Sequence, residues 1–264
     1  MLAQQRQALI LDEVRRSGGA RVSDLTTLLS VSDMTIRRDL DQLAADGVIQ
    51  KVHGGAVLRT HHVTEEPGFE AKRVLARPAK QAIAARAVQL IRPNSAIALS
   101  AGTTTTSLAR QLAPIAGLTV VTNSTTVADT IAALKGADRT VILTGGVSTP
   151  SAALVGPVAE AAIRSLHFDQ LFLGTHGMDD QAGFTTPNLA EAETNRSLLA
   201  RAREVIVIAD SSKWGTVGLA TFGECSVADV LITDDGLPAE ARTSLGEAVG
   251  ELIVVPTLHV ASER

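Results

Sequence analysis

Apolar residues in the first sixty positions recur at helical spacing in three short runs. Between Ala3 and Arg16, Leu9, Ile10 and Val14 share a face, and the run stops at Ser17-Gly18-Gly19. Ser23 is placed to cap a second short helix carrying Leu25, Leu28 and Leu29. After the turn Leu29-Ser30-Val31, Ser32 is placed to cap a third, SDMTIRRDLDQLAADG, which stops at Gly47. There Ile36, Leu40 and Leu43 fall at i, i+4 and i+7 and predict a buried stripe. The same wheel sets Arg38 nearly opposite Ile36, with Thr35 and Gln42 beside it and Arg37 on the flank. VIQKVHGGAVL then reads as two β-prone runs around His53-Gly54-Gly55, a hairpin with Lys51 on its first strand.

Residues 60–78 hold no sustained apolar period and carry Pro67, Gly68 and Pro78, so they read as a linker that becomes helical near Phe69. From Ala79 the pattern changes to short apolar runs alternating with Ala- and Leu-rich helical ones. Strands are predicted at Ala96–Ser100, Leu118–Thr122, Thr140–Leu143, Gln170–Gly174, Glu204–Ala209, Val230–Thr233 and Leu252–Val255. Helical runs between them include Ser107–Leu112, Val127–Leu134 and Ala190–Arg201. This alternation predicts a mainly parallel sheet covered by helices on both faces. The organisation expected is a winged helix-turn-helix domain at 1–58, a linker at 59–74 and an α/β domain at 75–255.

Composition narrows the classes. The 264 residues are 45% hydrophobic and 20% charged, which is ordinary for a globular chain able to bury a core. No apolar run has the length of a membrane span, and the opening residues do not read as a signal peptide, so a cytoplasmic protein is expected. The single cysteine, Cys225, fits a reducing compartment and reads as a small core residue. A net charge of −4 implies no partner, so nucleic acid would have to bind through local placement of charge. Aromatics at 2%, with no tyrosine, leave no stacking platform for single strands.

Two sets of candidate residues follow. An anchored helix with an outward cationic face, followed by a hairpin, is what reading a duplex requires, and it nominates Ser32, Thr35, Arg37, Arg38, Gln42, Lys51, His53 and Gly54. In an open α/β sheet ligands sit beyond the carboxyl ends of the strands, and those ends are rich in small and hydroxylated residues here. SAGTTTT (Ser100, Gly102, Thr103, Thr104, Thr105) follows the first strand, TNS (Thr122, Asn123, Ser124) the second and TGG (Gly145, Gly146) the third. Gly174 and His176 follow the fourth, and Asp210 and Lys213 the fifth. Small residues admit a ligand to the backbone, and hydroxyls with N–H groups at a helix start suit a phosphate. His61 and His62 diverge as neighbours and find no further ligands, so no metal site is expected, nor any cofactor.

QRQALILDEV, VSDMTIRRDLDQLAADGVIQKVHGGAV, TNS, TGG, FLGTHG, GFT, EAE and ADSSKWG, in this order, resemble the DeoR family of bacterial transcription regulators over roughly Gln5–Asp234. The resemblance implies a winged helix-turn-helix joined to a sugar-phosphate-isomerase-like sensor domain. It further implies repression of carbohydrate-metabolism genes and release from double-stranded operator DNA when a phosphorylated sugar binds. It ties Lys72, Lys80 and Asp210 to the inducer response. One winged helix offers a small interface, so specific binding calls for at least a dimer, and a homodimer or homotetramer is expected.

The rival class is a sugar-phosphate isomerase or deaminase-like enzyme with an appended DNA-binding domain. Its carboxylate would come from Asp179, Asp180, Glu191 or Glu193. The first two sit in a polar turn, and Glu191 opens a helix where it could face a ligand, which places it among the expected effector contacts. Hydride transfer is disfavoured because no G-x-G-x-x-G follows a strand, and Cys225 has no visible catalytic partner. Binding without catalysis is therefore the reading carried forward.

Overall fold

The computed structural model describes residues 3–17, 19–45, 49–52, 54–58, 64, 68–136 and 138–257. The chain divides into two compact units, Met1–His62 and Val63–Arg264. In the first, helices α1 (Ala3–Ser17), α2 (Val22–Leu29) and α3 (Asp33–Ala45) accompany strands β1 (Gly19–Arg21), β2 (Ile49–Val52) and β3 (Gly55–Leu58). Its core includes Ile10, Val14, Leu25, Leu29, Ile36, Leu40, Leu43 and Ile49, so the predicted α3 stripe is buried. Leu9 and Leu28, expected inside, are exposed. The stripe of the short α2 is Val22, Leu25 and Leu29, which leaves Leu28 out of phase, and Leu9 is turned one residue away from the Ile10–Val14 pair.

Two local expectations are corrected here. Ser23 lies inside the first turn of α2, whose cap position is Arg21, and its hydroxyl bonds Asp24 at 3.0 Å. Gly19, read as a helix stop, begins a third strand: β1 pairs antiparallel with β3 through Ala20 and Ala56, while β3 also pairs with β2. The two hairpin glycines have separate reasons. Gly54 has φ +80°, whereas a Cβ on Gly55 would come within 2.3 Å of the Ala20 carbonyl oxygen. The predicted helix stop at Gly47, together with His53, His61 and His62, lies outside the described residues.

The second unit begins with α4 (Phe69–Val74) and α5 (Arg77–Ala87) and continues through β4 (Ala96–Leu99), α6 (Thr103–Ala109), β5 (Leu118–Thr122), α7 (Thr125–Ala132) and β6 (Arg139–Leu143). A small hairpin, β7 (Val147–Ser148) and β8 (Leu154–Val155), precedes α8 (Pro157–Arg164), β9 (Gln170–Leu173), β10 (Gly177–Asp179), β11 (Gly183–Thr186) and α9 (Leu189–Leu199). The chain closes with β12 (Val205–Ile208), β13 (Ala220–Gly223), β14 (Val230–Asp234), α10 (Ala239–Ala248) and β15 (Glu251–Val255).

The seven predicted strands form one sheet in the order β15-β14-β12-β9-β4-β5-β6. Every neighbouring pair in it is parallel. Alternate residues serve opposite cores: Ala98 and Val207 join Ile163, Leu198 and Leu245 on one face, while Ile97, Leu99 and Ile206 join Ile83, Leu108 and Ile131 on the other. Burial on both faces is what makes these strands read as continuous apolar runs. Winding reverses between β4 and β9, which opens a crevice at their carboxyl ends.

A second, antiparallel sheet, β10-β11-β13, occupies a segment whose first part was expected to be loop. Its strands have three or four residues, too few to set an alternation, yet they bury Met178, Phe184 and Phe222, and the rings of Phe184 and Phe222 stack at 6.3 Å. Among the described residues no helix is long and apolar enough to cross a membrane.

Candidate nucleic-acid interface and ligand pocket

Helix α3 is held at its start and from behind. The predicted cap is present: the Thr35 N–H donates to Ser32 Oγ at 3.3 Å, and the Ser32 carbonyl accepts from the N–H groups of Thr35 and Ile36. Asp39 points inward and is buried. Arg6 of α1 grips it with Nε on one oxygen and Nη2 on the other at 3.1 Å, while the Gln7 amide adds a third donor at 3.4 Å. Within TIRRDL, then, the aspartate ties α3 to α1, a role the sequence reading missed.

The outward side of α3 presents Met34, Arg37, Arg38, Asp41 and Gln42. Arg37 pairs with Asp33 one turn earlier, and that hydrogen bond, reinforced by the aspartate charge, raises its guanidinium above the ordinary value. Lys51, exposed on β2, pairs with Asp41. Arg38 is exposed and makes no ion pair among the described residues. Three cations against two carboxylates leave the face mildly positive, with each of those carboxylates neutralised by a neighbour.

In the second unit an open cleft of about 750 Å³, its solvent mouth included, lies at the winding reversal. The loop after β4 forms one wall. Its Ala101 N–H donates to Asn123 Oδ1 at 2.9 Å, the Gly174 N–H donates to Ser100 Oγ at 3.0 Å, and the Thr105 and Thr106 hydroxyls donate to the Gly102 carbonyl at 2.9 and 2.6 Å. These bonds turn Thr103 and Thr104 towards the cleft. Opposite them Lys72, which donates to Ser151 Oγ at 2.9 Å, comes from α4, and Glu191 comes from α9, accepting from Thr149 at 2.7 Å and Thr186 at 3.1 Å.

Of the residues nominated from sequence, Lys72, Gly102, Thr103, Thr104, Asn123, Gly174, His176, Glu191 and Lys213 line this cleft. The others stand behind it. Ser100 and Thr105 brace the loop; Thr122 donates to the Leu99 carbonyl at 2.7 Å; Ser124 caps α7 through the Val127 N–H at 3.3 Å. Gly145 and Gly146 have φ +72° and +120°, and a Cβ on Gly146 would meet the Val155 carbonyl oxygen at 2.6 Å, so their smallness serves the chain turn against β8.

Lys80 and Asp210 are buried beneath the cleft, off its wall. The Lys80 ammonium donates to the carbonyls of Lys72 at 2.6 Å and Leu75 at 2.7 Å and lies 4.0 Å from Asp210. Burial lowers it from 10.5 to about 8, the Asp210 charge opposing that fall and Lys213 and Lys72 adding to it. Asp210 Oδ1 accepts from Ser212, while Oδ2 has no hydrogen-bond partner among the described residues.

Several cleft residues went unread. Asn195 sits one turn after Glu191 on α9, a spacing that could have nominated it, and Thr186 directly follows the GFT segment. Phe69, Ser151 and Phe222 come from elements whose convergence no local pattern announces. Cys225 is buried, which raises its thiol, with Asp179, Asp180 and Glu224 adding to the rise. Such a thiol stays protonated and is a poor nucleophile. Asp179 accepts from the N–H groups of Gln181 and Ala182, closing the expected turn, and Glu193 pairs with Arg196 on the surface. Among the described residues no group of three or more His, Cys, Asp or Glu could hold a metal ion.

Comparison with known proteins matches residues 6–62 to the DeoR-like helix-turn-helix domain and residues 76–235 to the DeoR C-terminal sensor domain. The HTH-type transcriptional regulator GlpR of Haloferax volcanii is 38% identical over 96% of this chain and 98% of its own length. The transcriptional repressor AccR of Agrobacterium fabrum is 31% identical over 88% of this chain and 90% of its own. A ribose 5-phosphate isomerase A from Neisseria gonorrhoeae is 16% identical over 53% of this chain and 54% of its own, at a TM-score of 0.38.

Proposed function

Because this chain belongs to the DeoR family, we propose that it is a double-stranded-DNA-binding transcriptional repressor of carbohydrate-metabolism genes, released from its operator by a phosphorylated sugar. The observation that carries this reading is the cleft at the winding reversal. A loop of small and hydroxylated residues faces Lys72 and Lys213 there, in a chain whose other unit is a helix-turn-helix. The lysines and the Thr103 and Thr104 hydroxyls suit a phosphate, and Glu191 and Asn195 suit sugar hydroxyls. In the first unit α3 enters the major groove, with Arg38 on base edges and the β2–β3 hairpin, through Lys51 and the Gly54 turn, along the backbone. The protein works in the cytoplasm as a homodimer or homotetramer, which pairs two reading helices on one operator.

Calorimetry of the full chain against a panel of phosphorylated sugars tests the reading, in parallel with Thr104→Asp. The wild type binds one of them. Thr104→Asp, which sets a like charge against the phosphate, does not, yet holds DNA normally and is no longer released. The coupling between sites is on the order of 1–3 kcal/mol and is the same measured from either ligand. Wild-type sugar affinity in Thr104→Asp would remove this loop as the phosphate cradle.

A further inference from the structure

We propose that Met34 reads the 5-methyl group of a thymine in the major groove, an inference that rests on the DNA-binding reading above. Met34 is the second residue of α3 and is 81% exposed, the highest exposure of any large hydrophobic side chain among the described residues. It is two positions out of phase with the buried stripe that starts at Ile36, so it contributes nothing to the core. A lone exposed apolar residue is unremarkable on a protein surface. The company it keeps on this face is what singles it out.

The polar groups around Met34 are already engaged within the unit: Ser32 with Thr35, Arg37 with Asp33, and Lys51 with Asp41. Arg38 makes no such ion pair among the described residues and follows Met34 by four residues, so the two stand side by side one turn apart. The surrounding cations complement phosphate, which argues for a duplex as the occupant. The first turn of a recognition helix is the part that meets base edges. Every base pair offers hydrogen-bonding groups in the major groove, but its one apolar feature is the thymine methyl. An unbranched thioether adapts to such a contact without needing a fixed rotamer. If Arg38 holds a guanine, the rise of about 6 Å over one helical turn puts the thymine within about two base pairs of it.

The test uses the full chain and the duplex it recovers by selection from a randomised pool, with each thymine singly replaced by deoxyuridine. Loss of one methyl contact weakens the wild type about fourfold at one position in each half-site. Met34→Gln, which keeps length and helix, binds the thymine and deoxyuridine duplexes alike, and Met34→Leu retains the preference. A role confined to folding would leave the thymine-to-deoxyuridine ratio of Met34→Gln equal to that of the wild type, and this overturns the proposal. Indifference of the wild type to every replacement overturns it too, as does a change of oligomeric state in Met34→Gln with the ratio intact. Failure to recover any duplex sinks the DNA-binding reading itself, an outcome distinct from the others.

Discussion

The two units place their candidate binding residues in opposite relation to their cores. In the N-terminal unit Met34, Arg38 and Lys51 lie outside the core, which closes without them. In the C-terminal unit Thr104 and Asn123 are buried, and Asn123 joins the phosphate-candidate loop to β8 by accepting from Ala101 and donating to the Leu154 carbonyl at 3.2 Å. The buried ion pairs repeat the contrast. Asp39 has both oxygens satisfied by Arg6 and Gln7, whereas Asp210 faces Lys80 at 4.0 Å with one oxygen lacking a hydrogen-bond partner among the described residues, the ammonium being given to two backbone carbonyls. Binding and stability should therefore separate cleanly in the first unit and be entangled in the second.

The largest effect expected is at Lys80. Lys80→Met strands the buried Asp210 charge and leaves the carbonyls of Lys72 and Leu75 unpaired, at a cost of about 3–5 kcal/mol in urea unfolding of the C-terminal unit. Because burial lowers Lys80 from 10.5 to about 8, the unfolded chain binds more protons between these limits. Wild-type stability relative to Lys80→Met is then flat below about pH 8 and rises by ~1.4 kcal/mol per pH unit above it, levelling off near 10.5. A profile flat through that window and falling only above 10.5 would mean that the attraction of Asp210 outweighs burial, and the contrast between the two ion pairs would collapse.

What was legible in the sequence divides along the same line. The seven sheet strands were readable because burial on both faces writes continuous apolar runs such as VIVI at 205–208. The α3 stripe was readable because one face of a helix is a periodic property of sequence. Strands β10 and β11 were not, since strands of three and four residues on either side of the Asp180-Gln181-Ala182 turn carry no period. Small residues at strand ends were ambiguous in kind: Gly102 and Gly174 line the cleft, while Gly146 makes room for the Val155 carbonyl, and both uses select glycine. Nothing local distinguishes Lys80, buried, from Lys72, at the cleft, because the fate of each is set by elements far along the chain. Met34 was not singled out from sequence, because one exposed apolar residue off a helical stripe is ordinary on a protein surface.

Arg38→Ala tests the claim of separability directly. If Arg38 holds a guanine edge, its loss costs ~1–3 kcal/mol of binding and relaxes preference at one base pair, with the melting temperature unchanged. Anisotropy titrations over single-base variants of the selected duplex, alongside a thermal melt, check both halves. Equal weakening on every sequence would make Arg38 a phosphate contact instead. A melting temperature that falls with affinity would show that the face is not independent of its core.

The smallest effects come from the Lys51–Asp41 pair, and their value lies in having opposite signs. Lys51→Ala removes a backbone cation from the hairpin, so affinity falls on all sequences and the salt dependence becomes shallower by about one unit. Asp41 holds Lys51 in the unbound protein, and both side chains are about half exposed, so the pair itself is weak. DNA lying along the hairpin would nonetheless have to break it and approach a carboxylate. Asp41→Asn releases the lysine and removes that like charge, which should tighten binding to a non-operator duplex by up to about fivefold and steepen its salt dependence. Glu240→Gln, an equal charge change on the exposed start of α10, controls for net charge. Titrations between about 50 and 200 mM salt read both quantities. If Asp41→Asn weakens binding, or if Glu240→Gln matches it, the hairpin does not lie along the DNA backbone and Lys51 is a surface lysine with no part in reading.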